Sequence, residues 1–312
     1  MPSLLHRQTE DRRLRRPRGQ VPSPLREKQV GRYPDAANHH QGVSLQDTPF
    51  AFGYWLIALL LCCCSTTISA ADCPAIHAHE RVEVAYVYDG DTVKLADGRK
   101  LRFIGIDTPE IGRHGKENQA LANQARSFLD DLLNAHNRSL NLQPGTEKYD
   151  HYGRLLAHAF LDNGSNVAVR LLDAGLATTL VVPPDTWAVD CYQQHENSAR
   201  AARRGLWSLP AYQPQESATL QRDTKGFRIL HGRVTAIRRT RYTVWLDMDG
   251  ALTVHVSKKD LSNFAPGYLD KLEGKYVEVR GWIKTGRDGS RVNVRHPAAL
   301  RVLATRTPPL SE

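Results

Sequence analysis

Three short clusters hold side chains that could do chemistry together. Asp89-Gly90-Asp91-Thr92 offers carboxylates, Arg102 with Asp107-Thr108-Pro109-Glu110 adds a guanidinium and two more acids, and Asp150-His151-Tyr152-Gly153-Arg154 brings a further arginine. Each cluster has a plain local account. Asp-Gly is what a turn needs. Thr108, Pro109 and Glu110 suit the cap and first turn of a helix. An Arg at a strand start is usually just solvated. Together they are the parts of a phosphodiester-cleaving site: oxygen ligands for a hard cation, a carboxylate beside them, and two guanidinium forks for a phosphate.

Such residues need rigid positions, and the flanking pattern supplies them. β-rich runs at 83–88, 92–95 and 100–106 are punctuated by Asp89-Gly90 and Asp97-Gly98, both strong hairpin signals. Leu121, Ala125, Phe128, Leu129, Leu132 and Leu133 then recur at helical spacing, predicting a helix over 117–134. Strands follow at 139–142 and 155–161, a helix at 167–174 stopped by Gly175, and a last helix at 195–204 with Gly205 as its cap. Strands, helix, strands, helices is the order of an α+β barrel.

With the clusters in this order, residues 81–208 closely resemble the staphylococcal nuclease (thermonuclease, micrococcal nuclease) family. The resemblance runs from Asp-Gly-Asp-Thr through Arg-x4-Asp-Thr-Pro-Glu and Tyr-Gly-Arg to Gly175-Leu176-Ala177 and Gly205-Leu206-Trp207-Ser208. It implies a five-stranded OB-type barrel with three helices that cuts DNA and RNA with Ca2+ and leaves 3′-phosphates. By matching position, Asp91 and Asp107 would hold Ca2+ through their carboxylates and Thr108 through its backbone carbonyl. Glu110 would position and deprotonate water, while Arg102 and Arg154 would grip the phosphate. His151 stands where the family has a phosphate-contacting Lys, and Tyr152 is kept. The two tyrosines after Gly-Leu-Ala align with Val181 and Pro183, so that base-stacking platform is absent.

Charge divides the chain unevenly. Residues 72–208 hold 15 Lys/Arg against 18 Asp/Glu (−3), whereas residues 209–312 hold 18 against 10 (+8). Residues 209–225 have the polar composition of a linker, and 306–312 that of a tail. Between them, strand-like runs at 227–237, 242–248, 252–256, 275–283 and 291–294, with a helix near 260–272, give the OB-fold order over 226–305. Asp249-Gly250 and Asp288-Gly289 mark its hairpin turns. The expected fold is thus mainly β or α+β, a nuclease-like barrel followed by a small OB-like barrel. The basic second module predicts that removing 209–312 weakens nucleic-acid binding and leaves the chemistry intact.

Residues 1–71 read as targeting sequence. Their basic start precedes an uncharged stretch from Thr48 to Ala71 that suits a signal peptide cleaved after Ala71. Cleavage would leave Cys73 and Cys191 as the pair for a disulfide in an oxidising compartment. The expectation is an exported, periplasmic or secreted, calcium-dependent endonuclease of thermonuclease type, with single- or double-stranded DNA and RNA as substrates. Two alternatives stand beside it: a catalytically weak or silent nucleic-acid-binding protein, and an interaction protein anchored by an uncleaved N-terminal segment. A transient membrane contact through residues 49–66 is expected, and no obligate protein partner. With 41% apolar and 24% charged residues, collagen, whole-chain disorder and a polytopic membrane protein are excluded.

Overall fold

Alternating burial along short strands builds the first barrel. In the computed structural model, which describes residues 72–77, 80–113, 115–221, 223–286 and 289–304, the strands are β1 (Glu80–Val87), β2 (Thr92–Leu95), β3 (Lys100–Phe103), β4 (Ile106–Asp107), β5 (Ser139–Tyr149) and β6 (Leu155–Phe160). All but β4 close a barrel in the order β1-β2-β3-β6-β5, with β3 and β6 parallel and the other pairs antiparallel. Inward-facing Val84, Val93, Leu101, Leu140 and Leu155 fill it. The apolar segment before Ala71, the tail 306–312 and Asp288 lie outside the described residues.

Helix α1 (Ala122–Asn134) covers the barrel with Ala122, Ala125, Leu129 and Leu133. It starts five residues later than its apolar pattern predicts, because Asn118 and Gln119 hydrogen-bond back to Gly112 and Glu110 instead of joining the helix. Helix α2 (Val167–Asp173) is capped by Asn166 and ends where expected. Gly175, at φ 68°, lets its own N–H reach the Leu172 carbonyl and that of Leu176 reach Leu171. β7 (Thr178–Thr179) then pairs with β4.

Helix α3 (Val189–Ala201) begins six residues before the predicted start. Its buried face is Tyr192, His195, Glu196 and Ala199, and two polar residues on that face hide the helical period from a hydrophobicity pattern. Its cap is also not Gly205. Arg203 takes the left-handed turn at φ 52°, and Gly205 instead lets two chain segments touch, since a Cβ there would lie 2.4 Å from the Gly175 carbonyl oxygen. Cys73 and Cys191 are joined by a disulfide across a sequence separation of 118 residues, tying the start of the described chain to α3.

The stretch expected as a linker is not a tether. It forms a 3-10 turn at Pro210–Tyr212 and a short strand, β8 (Gln215–Glu216), that pairs with the next barrel; Ser217 is buried with its hydroxyl on Asp249. Its polar side chains find partners, which composition alone does not reveal. The second barrel consists of β9 (Gly226–Arg239), β10 (Thr243–Met248), β11 (Leu252–Ser257), β12 (Tyr276–Gly286) and β13 (Gly289–Asn293), with β14 (Leu300–Val302) added on β12. β12 pairs with both β13 and β9 and so closes the ring. The helix expected at 260–272 is two 3-10 turns, Lys258–Asn263 and Leu269–Leu272, because Pro266 and Gly267 interrupt the run.

The two barrels meet through charged pairs and a small apolar seam. Arg280 on β12 holds Glu196 of α3 with contacts of 2.5 and 2.6 Å, although Glu196 is only 1% exposed. Arg200 of α3 grips Glu278 with two hydrogen bonds of 3.0 and 2.8 Å. Ala199, Trp207 and Ile229 pack beside them.

Candidate active site

Four carboxylates gather around one arginine. Arg102 lies on β3, and its Nε is 3.1 Å from Asp91 while a terminal nitrogen is 3.1 Å from Asp107. Its other terminal nitrogen donates to the carbonyls of Phe103 and Ile106. Three of its five N–H groups are hydrogen-bonded within the site, and Nε adds an ion-pair contact to Asp91, so the guanidinium is largely engaged in holding the site together. Asp91 is 2% exposed; Thr108 fixes it through its backbone N–H (2.8 Å) and hydroxyl (3.0 Å). Asp107 is set by the β4–β7 pair, where it faces Thr178.

Thr108-Pro109-Glu110 does not start a helix. It is irregular chain between β4 and α1, so the local account of this cluster fails. Gly90 is likewise more than a turn residue. A Cβ there would sit 2.8 Å from Thr108 Cγ2 and 2.9 Å from Ala125, so only glycine allows the Asp-Gly-Asp turn to pack under Thr108 and α1.

The acids are crowded. Burial pushes Asp107 up to about 6, with Arg102 pulling it down and Asp91 and Glu110 pushing it further up. Burial, then the charge of Asp91, raises Asp89 to about 7. Asp89 is a member of the site that sequence reasoning passed over as a turn residue; its proximity to Asp91 was the available signal.

Glu110 and Arg154 line one cleft of about 480 Å³, together with Tyr88, Asp89 and Lys100. Gln119 holds Glu110 by its backbone on both sides, accepting from its N–H at 3.2 Å and donating to its carbonyl at 3.0 Å. Asp150 fixes Arg154 through Nε at 2.6 Å and also accepts the backbone N–H groups of Tyr152 and Arg154. The Arg154 guanidinium lies 5.5 Å from the centre of the Tyr152 ring. Tyr152 is 74% exposed and in ring contact with His151, so both stand at the cleft rim and not within it.

One neighbour had no sequence signal. Trp282, on β12 of the second barrel, stands close to the Asp107 carboxylate, and its ring N–H tends to hold that carboxyl down. It lines two cavities next to Asp107, one of them shared with Thr108, Tyr212 and Arg228. The separation in sequence, with only a pattern-level reading of the second barrel, left no means of placing it there.

Comparison with known proteins agrees with this geometry. Residues 100–209 match the family described as Staphylococcal nuclease homologue. Over 129 residues the chain is 30% identical to a thermonuclease of Staphylococcus hyicus, covering 40% of this chain and 75% of that one. The chain belongs to the staphylococcal nuclease family. Among further relatives of this nuclease family member, endonuclease YncB of Bacillus subtilis (strain 168) is 33% identical over 128 residues, covering 40% of this chain and 60% of YncB. Endonuclease YhcR of the same organism is 33% identical over 138 residues, a match that covers 11% of YhcR. The shared region of these two is thus less than two thirds of their length, and the second barrel lies beyond the family match.

Proposed function

We propose that this protein is an exported, calcium-dependent endonuclease that hydrolyses phosphodiester bonds of DNA and RNA and leaves 3′-phosphate ends. The observation that carries the reading is the buried acid cluster of Asp91 and Asp107 beside a cleft that holds both Glu110 and Arg154. The donor set suits Ca2+. It is made of oxygens, and burial, with the charges of Asp91 and Glu110 beside it, raises the Asp107 carboxyl in a way that a divalent cation would relieve. Asp91 and Asp107, with the Thr108 carbonyl, would hold the ion, which when bound neutralises charge on a phosphate oxygen.

The chain's own groups then divide the work. Glu110 takes a proton from water as the water oxygen bonds to phosphorus. The bond from phosphorus to the 5′ oxygen breaks, that oxygen gains a proton, and a 3′-phosphate and a 5′-hydroxyl result. Arg154 meets the charge that builds on the phosphate, and Arg102 adds its positive charge while keeping Asp91 and Asp107 in place. His151 and Tyr152 contact the strand at the rim.

Export is supported by the Cys73–Cys191 pair, since such bonds persist in oxidising compartments. We assign the chemistry to residues 72–208 and strand binding to 226–305. The test is incubation of the full chain with single-stranded DNA in Ca2+ or in chelator. Ca2+-dependent cleavage with 3′-phosphate ends is expected, and cleavage unaffected by chelator would overturn the reading.

A further inference from the structure

Strand period and cavity lining place a second set of groups in line with the acids. Trp282 and Lys284 are two residues apart on β12 with buried Ile283 between them, so both face outward. Trp282 is 46% exposed and shares the lining of two cavities with Asp107. Lys284 borders the cavity of about 180 Å³ beside Asp107 and also the cavity of about 400 Å³ on the outer face of the second barrel. It is therefore the step from one to the other.

Beyond Lys284 the face continues with the same chemistry. Lys284 is paired in register with Arg291 of β13, and the Arg291 guanidinium lies 5.9 Å from the centre of the Trp245 ring on β10. Trp245 is paired with His255, whose ring is 4.7 Å away. Arg238 borders the same cavity, but Asp247 holds it in a two-fold hydrogen bond, so Lys284 and Arg291 carry the positive charge. Cations spaced between the exposed Trp282 ring and the half-buried Trp245 ring match a polyanion whose units carry stackable bases.

We infer that this face, from Trp282 beside Asp107 across Lys284 and Arg291 to Trp245, is a binding track for a single-stranded polynucleotide leading away from the catalytic acids. Bases stack on Trp282 and Trp245, and phosphates meet Lys284 and Arg291. The inference rests on the nuclease reading for what lies at its inner end. The residues of the track themselves come from the second barrel.

The experiment measures the affinity of the full chain for a fluorescein-labelled oligothymidylate at several salt concentrations. It is done on a Glu110→Gln background with Ca2+ so that cleavage does not interfere. Trp245→Ala and Trp282→Ala are each expected to raise Kd about tenfold. Lys284→Ala with Arg291→Ala is expected to lower the salt slope by roughly 1.4, the share of two phosphate contacts on a single strand. Lys275→Ala, just before the opposite end of β12 and about 30 Å from Lys284 along the chain, serves as the control for unspecific charge and should change Kd less than twofold. Affinities and salt slopes in the three track variants equal to the parent's, or an effect of Lys275→Ala as large as theirs, overturn the inference. Because binding is read without cleavage, track-dependent binding by a chain that never cuts DNA would sink the nuclease reading and leave this one standing. Cutting with unchanged variant affinities would do the reverse.

Discussion

The two barrels share one topology and differ in what their loops hold. In each, the first strand pairs with the second, the second with the third, the third runs parallel to the fifth, and the fourth closes the ring against the first. Yet the turn between the first two strands buries Asp89 and Asp91 in one barrel, whereas in the other it exposes Tyr242 under the Arg241 guanidinium. The connection between third and fourth strands carries Asp107, Glu110 and α1 in one and two 3-10 turns in the other. The fold is thus a frame, and its activity depends on the side chains placed on it.

The comparison is broken most sharply at Glu110. Glu110→Gln is expected to lower turnover by about a hundred- to ten-thousand-fold, the usual worth of a positioned general base, with both barrels still folded. Because Glu110 is exposed and fixed through its backbone, the loss should fall on kcat with little change in unfolding midpoint. Near-normal turnover in a folded Glu110→Gln protein would remove the first barrel's claim to the chemistry.

Next in size is the seam between the barrels. Arg280→Met leaves Glu196 buried without its partner, and such losses run to about 3–5 kcal/mol. Glu196 also accepts the Thr179 N–H at 2.8 Å, and β7 in turn backs Asp107, so turnover should fall along with stability. The expectation that residues 209–312 can be removed without touching the chemistry is therefore revised: Arg280 and Trp282 belong to the support of Asp107. Urea unfolding and turnover of Arg280→Met, set against the double variant with Glu196→Met, decide this. A double variant no more stable than the single one would mean that the pair acts through shape alone.

The disulfide is a tie within the first barrel that the second lacks. Replacing Cys73 and Cys191 with Ser is expected to reduce stability by about 2–4 kcal/mol, and the urea midpoint should fall accordingly. A change under half a kcal/mol, with the disulfide verified in the parent by mass, would place most of the stability in the packing around Tyr192.

Much of this was readable in the residues. Nine of the ten long barrel strands declared themselves by alternation and by Asp-Gly turns, and the acids and arginines by their order along the chain. β5 was only partly visible because Pro144 looks like a strand end; it is tolerated since the register shifts just after it. Failures came where polar groups do structural work. The buried face of α3 includes His195 and Glu196, the start of α1 was given up to Gln119, and the supposed linker is pinned by Ser217. Trp282 could not be placed because its contact with Asp107 depends on docking of two barrels, which no local pattern encodes.

Acid stability should distinguish the barrels by the pH at which each is weakened. In the first, burial holds His158 down to about 4, so the folded chain refuses a proton that the unfolded chain takes below its ordinary value of 6.5. The His158 contribution to stability then falls as pH drops from 6.5 to 4, by at most about 1.4 kcal/mol per pH unit. At the seam, burial alone would raise Glu278, but hydrogen bonds from His231 and Arg200 and the charges of Arg200 and Arg301 hold it well below the carboxylate range. Its contribution is complete above its ordinary value of 4.5 and is lost below it. Asp89 and Asp107, raised to about 7 and about 6, pull the other way in the upper window, so the readout is the difference between proteins. From pH 6.5 to 4 the midpoint of His158→Gln should fall less, or rise more, than that of the parent, and below 4.5 the fall should be flattened by Glu278→Gln. A His158→Gln protein with an unaltered slope in the upper window would refute this order.

The smallest effect lies in how two neighbouring helices end. Helices α2 and α3 close with the same pair of backbone hydrogen bonds, but α2 has Gly175 in the left-handed turn and α3 has Arg203. An L side chain in that conformation crowds its own backbone, whereas glycine does not. Arg203 is exposed, so shortening it removes little packing. Arg203→Gly should therefore stabilise the protein by about 0.5–1 kcal/mol, after allowing for the extra freedom glycine gives the unfolded chain. Arg203→Ala keeps the Cβ and should bring no such gain. The measurement is a set of urea midpoints at constant slope for the parent and the two variants. If glycine lowers the midpoint, the left-handed turn at Arg203 is not a source of strain, and the arginine's charge near the end of α3 outweighs it.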